Sequence, residues 1–181
     1  VKNGLLCSFP RLKSDSDCDV VVVGGGITGA LIADELSKNG LDVVVVEQRD
    51  VAWGSTSAST ALLQYEIDTH MTDLARTFGE DQAALAYRAC ANAITDLRDL
   101  AQEIGDVDFA MQESLYYASR RRDQTSLREE HALRIKHGFD ARWLDADDVK
   151  ARFGFDAHGA ILTPLAARVD PYRMASKLLL G

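Results

Sequence analysis

Three glycines with the spacing Gly24-x-Gly26-x-x-Gly29 are the residues whose pattern most clearly points to chemistry. Alone this pattern is weak, but four valines precede it, a helical pattern follows it, and Glu47 lies about 20 residues further on. In that context Gly24 permits a tight turn, Gly26 leaves room for a pyrophosphate, and Gly29 lets the helix pack close to the sheet. The helix N-terminus attracts the phosphates, while Glu47 accepts hydrogen bonds from a ribose. The spacing therefore predicts a dinucleotide site.

The elements that position these residues are a strand, a helix and a second strand. Residues 20–23 form a β-branched run, which predicts a strand buried on both faces. Residues 27–39 have helical spacing and end before Gly40, and residues 43–46 predict the second strand. Because one helix joins the two strands, they must be parallel. The acid at Glu47 disfavours NADP, since it would repel a 2′-phosphate, and a glycine turn without a ligand is the alternative to a site.

The segment after the second strand bears on which dinucleotide is bound. Residues 54–60 are small or carry hydroxyl groups, and Ala61-Leu62-Leu63 follows them, so we predict a loop that opens a helix. A nicotinamide-binding domain would continue at once to a third parallel strand. A loop of small residues can instead run alongside an extended ligand.

At this point the sequence resembles the opening of the D-amino-acid oxidase and glycine oxidase superfamily of FAD enzymes. The resemblance rests on Val-Val-Gly-Gly-Gly-Ile-Thr-Gly, then Val-Val-Val-Val-Glu, then Gly-Ser-Thr-Ser-Ala-Ser-Thr-Ala-Leu-Leu, and it extends more weakly to Val-Asp-Pro-Tyr at 169–172. It implies an α/β fold, with a Rossmann-like FAD-binding domain and the beginning of a second, mixed α+β substrate domain. It also implies an enzyme that oxidises an amine or amino acid by hydride transfer to flavin N5.

The resemblance further implies which residues bind FAD. The residues matched to the pyrophosphate are Gly24, Gly26, Ile27, Thr28 and Gly29. Those matched to the adenosine end are Glu47 and Gln48 at the ribose and Arg49 beside the adenine. Ser55 and Thr56 match contacts to phosphate or ribitol oxygens, and the segment along the flavin ring is Thr60, Ala61 and Leu62. Ser55, Thr56 and Thr60 could instead cap the helix that follows them, because serine and threonine favour helix caps. Capping the helix and contacting the cofactor can coexist.

Other polar residues carry weaker predictions. Gln64, Tyr65 and Glu66 follow the flavin segment and would border a substrate, although an ordinary helix face or turn explains them as well. The 4 histidines and 3 cysteines show no metal-ligand spacing, so we predict no metal site and no disulfide framework. No residue is assigned a catalytic role.

Composition excludes several classes of protein. The net charge of −8 has the wrong sign for binding nucleic acid, and no apolar run reaches the roughly 20 residues that span a bilayer. Scattered thiols and the lack of a signal-peptide pattern predict a cytoplasmic protein. The predicted boundaries are an extension over 1–18, an FAD-binding portion over 19–105, part of a substrate domain over 106–170, and a returning helix over 171–181.

Enzymes of the resembled superfamily are considerably longer than this chain. We therefore expect the N-terminal portion of a larger enzyme, which alone would lack turnover. The alternatives are a dinucleotide-binding module without catalytic activity, a flavin hydroxylase and a nicotinamide-binding domain.

Overall fold

The computed structural model describes Gly4 and residues 6–181, which contain seven α-helices and six strands. The strands are β1 (Val20–Val23), β2 (Val43–Val46), β3 (Leu62–Gln64), β4 (Ala110–Tyr117), β5 (Arg142–Leu144) and β6 (Ala160–Arg168). The helices are α1 (Ile27–Lys38), α2 (Ser55–Ala58), α3 (Met71–Phe78), α4 (Glu80–Ile104), α5 (Gln124–Lys136), α6 (Ala146–Phe153) and α7 (Pro171–Leu178). Two compact units result: unit 1 comprises Val1–Ala61, Asp99–Phe109 and Val169–Gly181, and unit 2 comprises Leu62–Arg98 and Ala110–Arg168.

Unit 1 contains the predicted strand, helix, strand arrangement. β1 and β2 pair in parallel, with Val20 opposite Val43 and Val23 opposite Val46. The prediction that β1 is buried on both faces is wrong, because Val21 and Val23 are 55% and 85% exposed while Val22 is buried. Burial depends on which elements pack against a strand, and among the described residues only the Val22 face of β1 is covered.

The last helix completes the described part of unit 1. The Asp170 carboxylate accepts a hydrogen bond from the Arg173 N–H, and Pro171 occupies the first turn, as the sequence predicts. α7 packs against α1 and α2. Helix α1 therefore packs against α7 as well as against the strands β1 and β2.

Unit 2 is built on an antiparallel sheet with β6 at its centre. β4 pairs along one edge of β6, while β3 and β5 share the other edge, at 166–168 and 160–162 respectively. The sequence predicts two short extended pieces in each of β4 and β6, whereas the structure forms one strand from each pair. In β6 the strand continues through Pro164, where the register with β4 shifts, and proline is tolerated at such irregularities.

The two faces of this sheet are covered by different helices. Ile161 packs with Leu127 of α5, together with Ala118 and Ala141. Ala160, its neighbour in the strand, packs instead with Val149 of α6. Successive residues of a strand point to opposite faces, so β6 forms part of both hydrophobic clusters.

The segment between β2 and α3 differs from the prediction. Ala61-Leu62-Leu63 does not open a helix; Leu62 begins strand β3, and a short helical turn, α2, lies earlier within the predicted loop. Pairing of Leu62 with Arg168 of β6 determines this outcome. Within the described residues, we find no helix that combines the length and the apolarity needed to cross a membrane.

Candidate functional site

The glycine-rich turn lies between β1 and α1 in unit 1, and two of its glycines are required by geometry. Gly24 has φ +108°, a backbone conformation that favours glycine. A Cβ on Gly29 would overlap the carbonyl oxygen of Gly24, so α1 can pack this closely only with glycine there. These two positions have the geometry that the sequence pattern predicts.

Gly26 differs from the other two, because its backbone is ordinary. With φ −81° and ψ −176°, any residue could adopt its conformation. A Cβ built on Gly26 would meet one atom closely, the Thr56 hydroxyl oxygen at 3.1 Å. The absence of a side chain at Gly26 therefore provides space beside the start of α1 and does not relieve backbone strain.

The first turn of α1 is capped by a residue from a distant part of the sequence. Gly26 has no side chain to cap the helix, and the Ile27 N–H donates instead to Thr56 Oγ1 at 3.0 Å. Thr56 is only 5% exposed. The N–H groups of Thr28 and Gly29 also lie in this turn, where a helix offers no internal acceptors. The site thus presents donors and the positive end of a helix dipole to an anion.

Glu47 is joined to the glycine turn directly. Its Oε2 accepts from the Gly25 N–H at 2.9 Å, and its Oε1 accepts from the Arg49 N–H at 3.0 Å. These two hydrogen bonds, with the one from Gly25 the stronger influence, lower the pKa of Glu47 below its ordinary value. An ionised carboxylate has further lone pairs, so Glu47 can hold the turn and accept from a ribose at once.

The remaining residues that the sequence predicts to bind FAD differ in burial and in position along the chain. Gln48 and Arg49 follow Glu47 along the chain, and Ser55 and Thr60 are exposed. Ala61 is buried with φ +52°, and its N–H donates to Ser59 Oγ at 3.0 Å. Leu62 belongs to unit 2, where it begins β3 and is 67% exposed. The structure thus links Gly25, Ile27, Glu47 and Thr56 by hydrogen bonds and leaves the remaining assignments as predictions.

These features of unit 1 fit an adenine dinucleotide. Open space beside Gly26, backbone donors at the start of α1 and an ionised acid at the end of β2 are the three parts of such a site. The described residues contain no group of three or more His, Cys, Asp and Glu arranged to hold a metal ion.

A buried polar cluster in unit 2 was not predicted from the sequence. Glu130 of α5 is fully buried, and its carboxylate accepts from the N–H groups of Met71 and Thr72 and from Arg134 Nε. Arg134, also buried, donates through Nη1 to Glu66 at 3.1 Å. The available signal was the four-residue spacing of Glu130 and Arg134 on one helix, but such pairs usually face solvent.

Tyr65 and Glu66 belong to this buried cluster. Tyr65 is 1% exposed, and its ring stacks on Phe139 with centroids 5.4 Å apart. Gln64, by contrast, is exposed in β3. That all three residues border a substrate stays a prediction, and two of them, Tyr65 and Glu66, have a packing role in unit 2.

Comparison with known proteins identifies relatives that match most of this chain. Residues 19–181 match the model of the family described as "FAD dependent oxidoreductase", DAO. The "Putative Rieske 2Fe-2S iron-sulfur protein YhfW" of Bacillus subtilis (strain 168) is 35% identical over 136 residues, covering 75% of this chain and 27% of that protein. A subunit of the anaerobic glycerol-3-phosphate dehydrogenase of Haemophilus influenzae is 29% identical, covering 90% of this chain and 27% of that protein.

Solved structures show the same fold at low sequence identity. Glycine oxidase from Geobacillus kaustophilus matches with a TM-score of 0.72 and 21% identity, covering 89% of this chain and 43% of that one. An L-amino acid deaminase from Proteus vulgaris matches with a TM-score of 0.76 and 20% identity, covering 97% and 46%. This chain therefore spans about a quarter of those two sequence relatives and under half of these structures. Since the family model matches nearly its entire length, the chain belongs to the DAO family of FAD dependent oxidoreductases, and its cofactor is FAD.

Proposed function

We propose that this chain is the FAD-binding part of an enzyme that oxidises a small-molecule amine or amino acid. The observation that carries the proposal is the joined arrangement of the glycine turn, Thr56 and Glu47 in unit 1. When bound, FAD supplies the redox chemistry, as the acceptor of a hydride from the substrate. The protein supplies binding and orientation.

The start of α1 would hold the pyrophosphate. Ile27, Thr28 and Gly29 bring backbone N–H groups to the first turn, and Gly24 and Gly26 keep that turn open. The Thr56 hydroxyl accepts from Ile27, so its own O–H is left to donate to a phosphate oxygen. Ser55, exposed beside it in α2, would contact a phosphate or ribitol oxygen.

The two ends of FAD would contact different segments. Glu47 and Gln48 would bind the adenosine ribose, with Arg49 beside the adenine. Thr60, Ala61 and Leu62 would run along the flavin ring. Ala61 has a left-handed backbone, which is uncommon for alanine and costs energy unless its surroundings enforce it. That strain supports a functional role for the segment.

The substrate class is supported by the structural relatives. Glycine oxidase and L-amino acid deaminase are both named for amino-acid chemistry, whereas the Haemophilus influenzae relative is named for glycerol-3-phosphate. Anaerobic mixing of the full-length holoprotein with amino acids, simple amines and glycerol-3-phosphate would distinguish these classes. We expect bleaching of the flavin absorbance by an amine or amino acid. Bleaching by glycerol-3-phosphate alone would refute the substrate class, and bleaching by no substrate would favour a binding module.

FAD binding itself can be tested separately. The full-length protein should purify yellow and release flavin on denaturation, and NAD should not raise its melting temperature, because a ligand stabilises only the state it binds. A colourless protein stabilised by NAD would refute the proposal in favour of a nicotinamide-binding domain.

We further propose that the full-length protein also binds a Rieske-type [2Fe–2S] cluster, which would supply one-electron redox chemistry when bound. The Bacillus subtilis relative is named for such a cluster, and its match covers 75% of this chain. The cluster would be bound outside this chain. The test is an iron and sulfide assay of the full-length protein, with electron paramagnetic resonance after reduction by substrate. Absence of iron, with rapid oxidation of the reduced flavin by oxygen, would refute it.

A further inference from the structure

The residues that follow Glu47 form a tight turn whose contacts with the glycine motif the proposed function does not use. Within it Ala52 is buried, with 2% of its surface exposed, and its φ of +57° is a left-handed conformation that alanine rarely adopts. The Ala52 N–H donates to the carbonyl oxygen of Gly25 at 2.8 Å. A strained backbone persists only where its surroundings enforce it, and this hydrogen bond joins the strained residue to the glycine turn.

Gly25 is held on three sides by residues of the segment from Glu47 to Ala52. Its N–H donates to Glu47 Oε2 at 2.9 Å, and its carbonyl accepts from Ala52. A Cβ built on Gly25 would lie 3.0 Å from Val51 Cγ1, so Val51 packs against a third side. Gly25 is not among the glycines with positive φ. Close approach of Val51, and not the backbone angle, therefore requires glycine at this position.

These attachments matter because three glycines stand in succession at 24–26. Glycine has more conformational freedom than any other residue, and ordering it when a ligand binds costs free energy. Gly24 and Gly26 have no side chains that could fix them, whereas the peptide units on both sides of Gly25 are hydrogen-bonded. A turn that is already ordered in the apoprotein avoids this cost and binds its ligand more tightly.

The hydrogen bond from Ala52 also sets the direction of a donor. A peptide unit is planar and trans, so the carbonyl of Gly25 and the N–H of Gly26 point to opposite sides. Because Ala52 holds that carbonyl, the Gly26 N–H is turned away from Ala52, and it has no acceptor among the described residues. A donor that is fixed in direction and unpaired at the start of a helix suits a phosphate oxygen.

We propose that Val51 and Ala52 are positioning residues for FAD, which hold Gly25 so that the Gly26 N–H stays directed at the pyrophosphate. The inference rests on the proposed function, in which the start of α1 binds the pyrophosphate. Both residues act through Gly25 and need not touch the cofactor. All the residues involved belong to unit 1.

The experiment is a double-mutant cycle on the full-length apoprotein, titrated with FAD. Gly25→Ala puts a methyl group against Val51 Cγ1, and we expect the Kd for FAD to rise about tenfold. Val51→Ala leaves a gap beside Gly25, and we expect a rise of about fivefold. In the double variant the new methyl group occupies that gap, so the Kd should return to within about threefold of the wild type. Independent effects would instead multiply to about fiftyfold.

Phosphorus NMR of the bound FAD separates positioning from general stability. The pyrophosphate resonances should shift in Gly25→Ala and return toward their wild-type positions in the double variant. The control is Leu36→Ala, because Leu36 is partly buried in the last turn of α1, at the end away from the glycine turn. It should lower the urea midpoint and leave both the Kd and the phosphorus resonances unchanged.

The positioning role and the proposed function can fail separately. If Gly25→Ala does not fold, Val51→Ala alone decides, and a wild-type Kd with wild-type phosphorus resonances would overturn the positioning role. Independent effects in the cycle, or an equal rise of the Kd in Leu36→Ala, would overturn it as well. A wild-type apoprotein that binds no FAD would overturn the proposed function and the positioning role together.

Discussion

Replacing Thr56 by valine should lower both the stability of the apoprotein and its affinity for FAD, by different amounts. The hydroxyl caps α1 by accepting from the Ile27 N–H at 3.0 Å, and its loss should cost about 1 kcal/mol of unfolding free energy. In the complex the same hydroxyl would also donate to a phosphate. Loss of a hydrogen bond to a charged group costs about 1.5–3 kcal/mol, so the Kd for FAD should rise roughly 10- to 150-fold.

The measurements are urea unfolding of the full-length apoprotein and titration of that apoprotein with FAD. Thr56→Ser keeps the hydroxyl and should restore most of the affinity. Ser57→Ala is the matched control, because Ser57 Oγ donates within its own helical turn, to the carbonyls of Trp53 and Gly54. An unchanged Kd in Thr56→Val, or an equal loss in Ser57→Ala, would refute the role assigned to Thr56.

Three further predictions concern single side chains. Gly26→Val should abolish FAD retention while leaving the far-ultraviolet dichroism nearly unchanged, since the new side chain fills the space beside Thr56; equal flavin content would contradict this. Glu47 has a lowered pKa, so it stabilises the fold above the ordinary pKa of 4.5, and this stabilisation is lost as the pH falls through the lower folded value. Between about pH 7 and pH 3, the melting temperature of Glu47→Gln should therefore fall less than that of the wild type. Tyr65→Phe removes an unpartnered buried hydroxyl and should leave the urea midpoint unchanged or higher; a clear decrease would reveal a hidden partner.

Local signals explain what the sequence predicts well. The glycine spacing and the two valine runs place β1, α1 and β2, because a turn, a helix start and a strand each need particular residues nearby in the chain. A long amphipathic pattern between Gly79 and Gly105 predicts a helix from Glu80 to Ile104, and α4 has these bounds. Asp170 and Pro171 mark the start of α7 for the same reason.

Contacts between distant residues explain what the sequence could not predict. Leu62 lies in a strand because it pairs with Arg168, and a short apolar run alone does not distinguish a strand from a helix. Thr56 caps α1 and not the helix that follows it, through a bond to Ile27, 29 positions away. The cluster of Glu66, Glu130 and Arg134 likewise joins three segments whose proximity is set by the completed fold.

Pro164 has a consequence for strand register. It lies in β6 between the stretch that pairs with β5 and the stretch that pairs with β3, and it has no N–H to donate to either neighbour. Neither strand can therefore slide along β6 past this point while keeping a complete ladder of hydrogen bonds. A slip of one residue would turn Leu62 to the opposite face of the sheet. Pro164 thus limits how far β3 and β5 could shift toward each other along the edge of β6 that they share.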